Sequence, residues 1–89
     1  MQKENRERTF AEVYNLVKEA VKKVCLARSY FIRSMIVSYL EDYTSLVVMG
    51  THHFAITHRA YISAAIYMLD KEGVIYFDKT IQGYCLWEG

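Results

Sequence analysis

The run Leu69-Asp70-Lys71-Glu72-Gly73-Val74-Ile75 most constrains how this chain folds. Upstream of it, Ile62, Ala65, Ile66 and Leu69 recur at steps of three and four, which lays one apolar stripe along an α-helix. Gly73 ends the stripe, because glycine takes the left-handed conformation that closes a helix at little steric cost. Val74-Ile75-Tyr76-Phe77 then reads as a strand, Asp78 to Gly83 as a turn, and Tyr84-Cys85-Leu86-Trp87 as a second strand. The end of the chain is therefore expected to be a helix running directly into a hairpin.

Two more helices precede it. Thr9 and Glu12 have the spacing of a capping box, in which each side chain meets the other's backbone N–H. Phe10, Val13, Val17, Ala20, Val21 and Val24 follow at helical steps, with Lys18, Glu19, Lys22 and Lys23 largely opposite, which predicts a helix over Phe10–Cys25. Tyr14, Leu16 and Val21 widen its apolar face. That width fits either one broad core face or burial on two sides, one of them against a second copy. Ser29 is expected to open the next helix, carried by Ile32, Met35, Ile36, Tyr39, Leu40 and Tyr43. Glu41 and Asp42 oppose the macrodipole at its end, so it stops near Tyr43. Thr44–Ile56 reads two ways. Leu46-Val47-Val48-Met49 suits a short strand or a short buried helix, and Gly50 breaks it. Thr57 is the expected N-cap of the third helix, His58–Glu72. The predicted core is Ile36, Leu40, Ile62, Ile66, Leu69 and Ile75.

With 89 residues there is room for one domain: a polar, frayed tail over 1–8 and a single unit over 9–89. The hydrophobic share of 53% is enough to build a core and excludes a disordered polymer. Net charge is only +1, but it is unevenly spread. From Tyr43 to Leu69 there is no Asp or Glu, only Arg59 and the histidines His52, His53 and His58. Such a stretch is either buried or turned toward a polyanion. Cys25 and Cys85 lie far apart and do not suggest a disulfide-dense secreted scaffold; should they meet, a disulfide would tie the first helix to the last strand. The charged first residues do not resemble a signal peptide, and no apolar run approaches the roughly 20 residues of a membrane span, so an intracellular protein without membrane contact is expected.

The order of elements, with Leu69, Gly73, Val74 and Ile75 at the helix-to-hairpin junction, resembles the winged helix-turn-helix DNA-binding domains. In size the chain is similar to small archaeal, phage and viral regulators. The resemblance covers about Tyr30 to Trp87 and implies a mainly α fold with a small β-hairpin (α+β), with Phe10–Cys25 as an additional N-terminal helix. It implies sequence-specific duplex DNA binding by a transcriptional regulator, with the third helix in the major groove. The outward residues His58, Arg59, Tyr61 and Ser63 would then face DNA, joined by Lys79 and Gln82 from the wing. Arg59 is the natural contact, since its planar fork matches guanine edges and phosphate oxygens. Ala60, Ala64 and Ala65 keep the helix thin. The helix within 9–25 would make a homodimer. The alternative is a winged-helix module that docks a partner protein on the same surface. The histidines and cysteines lack the tight pairs of a structural zinc site, and no phosphate-cradling glycine loop is present, so neither an enzyme, a metal nor a cofactor is expected.

Overall fold

The computed structural model describes residues 7–87, so the first six residues of the expected tail lie outside the described residues. Three helices, α1 (Phe10–Arg28), α2 (Arg33–Tyr43) and α3 (His53–Lys71), precede two strands, β1 (Ile75–Asp78) and β2 (Gly83–Leu86). The fold is mainly helical with a small antiparallel hairpin, an α+β arrangement.

The capping box at Thr9 and Glu12 is present in both directions. α1 continues three residues past Cys25, to Arg28, and Ser29 closes it. Ser29 takes the left-handed conformation, φ 74°, and its N–H donates to the Cys25 carbonyl at 2.8 Å. It therefore ends α1 and does not open α2. The reason lies in the next residues, which are needed as extended chain: the Phe31 N–H donates to the Tyr84 carbonyl at 2.9 Å, and the Tyr84 N–H to the Phe31 carbonyl at 2.8 Å. The two rings stack with centroids 5.3 Å apart. Helix can resume only after this bridge, at Arg33.

The segment after α2 is neither of the expected alternatives. Residues 44–52 form neither helix nor paired strand. Leu46 and Val48 are buried while Val47 is half-buried and Met49 exposed, so the segment alternates like a strand but has no ladder partner. Thr44 anchors its start: the hydroxyl donates to the Leu40 carbonyl at 2.6 Å and accepts from the Leu46 N–H at 3.1 Å. α3 starts at His53, five residues earlier than expected. His52 caps it, with Nδ1 accepting from the Phe54 N–H at 3.2 Å, and Thr57 lies inside the helix.

Gly73 closes α3 as expected, at φ 78°. The Val74 N–H donates to the Leu69 carbonyl at 2.9 Å and the Gly73 N–H to the Asp70 carbonyl at 3.1 Å, the paired bonds of a Schellman motif. In the hairpin Ile75 faces Leu86 and Asp78 faces Gly83. The connecting residues 79–82 turn on an Asx contact, Thr80 N–H to Asp78 Oδ1 at 2.8 Å, and on Gln82 at φ 53°.

All six residues predicted for the core are buried. They are joined by Val13, Val17, Ala20 and Val21 of α1, by Phe31, and by Leu46 and Val48. α1 packs on α2, α3 and β2 and is integral to the unit, not additional to it. Tyr14 and Leu16, which widen its apolar face, pack against this same core. Both remain half-buried, and Leu26, 85% exposed, is the large apolar side chain of α1 left outside.

Candidate functional site

The residues expected to face DNA separate into buried, half-buried and exposed. His58 is not outward: it is 1% exposed. Its Nε2 accepts from the Arg8 backbone N–H at 3.0 Å, which leaves the proton on Nδ1 to donate to the Val47 carbonyl, also at 3.0 Å. The ring fastens three segments: the approach to α1, the loop between α2 and α3, and α3 itself. The reason is helical spacing: His58 lies four residues before Ile62 and so falls on the same buried stripe as Ala55, Ile62, Ala65 and Leu69, whichever residue begins the helix. Tyr61 is also turned partly inward, half-buried against the core with its ring edge-on to Phe10 at 5.5 Å.

Ser63 is exposed and Arg59 half-buried on the outer side of α3, and a residue not predicted joins them. Arg33, at the first position of α2, donates from Nε to the Ser63 hydroxyl at 2.7 Å and from Nη2 to the Arg59 backbone carbonyl at 3.4 Å. Two arginines from two helices thereby share one face. The Arg59 guanidinium has no hydrogen-bond or ion-pair partner among the described residues. A signal for Arg33 was present in the sequence: a cation in the first turn of a helix opposes the macrodipole, and α2 has neither an acidic residue there nor a side-chain cap. Placing the helix start at Ser29 hid it.

Lys79 and Gln82 are exposed in the hairpin turn. The root of that turn lies near Arg33. Gly83 is buried against Tyr30, the Phe31 carbonyl and Ile32, so a Cβ there would stand 2.9 Å from the Tyr30 ring and 3.1 Å from that carbonyl. Between its charged and polar ends, where His53, Asp70 and Lys71 are exposed, the outer surface of α3 carries a small, apolar strip: Ile56 is 52% and Tyr67 61% exposed, with Ala60 and Ala64 between them. Ala65 faces the core. Two acidic side chains near helix ends, Glu12 and Glu72, are locally engaged. Glu12 belongs to the α1 cap and lies 3.7 Å from Arg8, whose guanidinium also donates to the Ser45 hydroxyl. Glu72 accepts from the Tyr14 hydroxyl, and that bond holds the phenol above its ordinary pKa.

Among the described residues no three His, Cys, Asp or Glu side chains come together as a metal site, and no helix is long and apolar enough to cross a membrane. Comparison with protein families, with curated proteins and with solved structures finds no match to this chain.

Proposed function

We propose that this chain is a winged-helix protein that binds duplex DNA through the outer face of α3, with Arg33 and Arg59 as its principal contacts. The observation that carries the reading is the joining of Arg33 to Ser63 and to the Arg59 carbonyl, which gathers two cations beside a helix free of Asp and Glu from His53 to Leu69. Arg59, whose guanidinium has no partner among the described residues, suits a bidentate base edge or a phosphate. Arg33, held by two bonds, suits a phosphate, where position matters more than choice of base. The hairpin follows α3 directly through Gly73, as a wing would, and Lys79 in its turn offers a further phosphate contact. His58 and Tyr61 act here as packing residues.

The test is binding to random-sequence duplex DNA at increasing salt, with wild type, Arg33→Ala and Arg59→Ala. Removing an arginine that meets a phosphate should reduce the salt slope by about one. If Arg59 reads a base edge, its removal should instead cost about 1 to 3 kcal/mol and relax sequence preference. Absence of duplex binding by the wild type at low salt defeats the reading. A second reading has an observation in its favour. Ile56, Ala60, Ala64 and Tyr67 form an exposed, largely apolar strip on α3, which suits docking of a partner protein on this face. Such binding would vary little with salt.

A further inference from the structure

The two cysteines, 60 positions apart in sequence, are brought to one place. Cys25, in the last turns of α1, and Cys85, in the middle of β2, line the same surface groove of about 380 Å³, with Lys22, Leu26, Tyr76 and Trp87 around them. Both are half-buried and both carry free thiols. On β2, Cys85 pairs across the hairpin with Tyr76, whose ring packs on Trp87 at 4.6 Å. Tyr76, Cys85 and Trp87 thus share the hairpin face that looks onto the groove, while Ile75 belongs to the core and Leu86 packs against the core and also borders the groove. Proximity is supported from the α1 side too. Burial pushes the Cys25 thiol up, the neighbouring Cys85 pushes it further, and the backbone N–H of Leu86, the residue after Cys85, bonds to it and partly offsets the rise.

We propose that Cys25 and Cys85 are a redox modification site, closing an intramolecular disulfide by exchange with an oxidised low-molecular-weight disulfide that enters the groove. The Cys85 thiolate attacks one sulfur of the small disulfide, whose S–S bond breaks and releases one small thiol. Cys25 gives its proton to water, attacks the Cys85 sulfur and expels the second small thiol. Two protein thiols are oxidised and one small disulfide is reduced to two thiols. The Cys25 thiol, held up by its surroundings, suits the second step better than the first. The product links α1 to β2 and closes most of the chain into one loop. It is independent of the DNA reading, since neither cysteine lies among the contacts assigned there.

The test uses the full chain, incubated with oxidised glutathione, quenched with an alkylating reagent and weighed intact. The expected product is lighter by two hydrogens and takes up no alkyl group. Its Tm should rise above that of the reduced protein by about 17 to 34 °C, as a loop of this length implies. Cys25→Ser and Cys85→Ser should each end with a free thiol or a single glutathione adduct and show no such rise. If the wild type instead accumulates glutathione adducts, covalent dimers or two alkylated cysteines at every oxidant concentration, the proposal is overturned. The wild-type measurement needs no substitution, so it decides the matter even if a variant fails to fold.

Discussion

Replacing His58 by alanine separates a structural histidine from a DNA-contacting one. In the folded chain the ring is 1% exposed and satisfies two backbone groups, the Arg8 N–H and the Val47 carbonyl. Removing it leaves both without their partner, at about 1 to 3 kcal/mol each. Arg8 and Val47 are half-buried, so water reaches them in part and the lower end of that range applies. Loss of the buried ring adds a cavity term, and the sum is about 3 kcal/mol. In a domain of this size that corresponds to a fall in Tm of roughly 12 to 24 °C. Thermal melting followed by circular dichroism reads it directly. His58→Gln keeps one donor and one acceptor and should lose less than alanine. Duplex affinity, measured well below both midpoints, should match wild type. A His58→Ala protein melting within about 4 °C of wild type, equivalent to less than about 1 kcal/mol, would refute the assignment.

Gly83→Ala should destabilise the hairpin, because its Cβ would press on the Tyr30 ring at 2.9 Å and on the Phe31 carbonyl at 3.1 Å; loss of amide protection at Tyr84 by hydrogen exchange would report it, and unchanged protection would show that the site relaxes freely. Ile66→Ala removes a buried side chain from the α3 stripe and should cost about 2 to 5 kcal/mol in urea unfolding, whereas an unchanged midpoint would exclude Ile66 from the core.

Sequence patterning revealed those features that depend on neighbours along the chain. The capping box at Thr9, the stop at Gly73 and the periodic stripes of all three helices are local, and the core residues drawn from them are buried. What stayed hidden depends on contacts distant in sequence. Ser29 has the side chain of a helix N-cap, yet the bridge between Phe31 and Tyr84 requires extended chain just after it. His52 is an unusual cap, and Thr57, with the commoner capping side chain, drew the helix start five positions downstream. At the first position of that shorter helix His58 read as outward, although it stands one i,i+4 step before Ile62 and belongs to the same inward stripe. Arg33 could be recognised only once its helix began at the right residue and Ser63 stood opposite.

The near-neutral charge is compatible with DNA binding because of how the charges are arranged. The Glu12, Glu72 and Asp78 side chains are tied to the Thr9 backbone, the Tyr14 hydroxyl and the Thr80 backbone. Among the described residues Arg59 has no such partner and Arg33 is held by neutral groups alone. Three phosphate contacts, from Arg33, Arg59 and Lys79, would give a salt slope of about −2.7, a loss of about 40-fold in affinity between roughly 50 and 200 mM salt. A protein partner seated on Ile56, Ala60, Ala64 and Tyr67 would bury apolar surface, which ionic strength scarcely affects at these concentrations. The two readings thus differ in slope and in the residues that move it. Tyr67→Ala should weaken protein docking while leaving the salt slope for duplex DNA intact; Arg33→Ala should flatten that slope without altering an apolar interface. A duplex affinity that falls with salt equally in wild type and in both arginine variants would place the cationic contacts elsewhere and withdraw α3 as the DNA-facing helix.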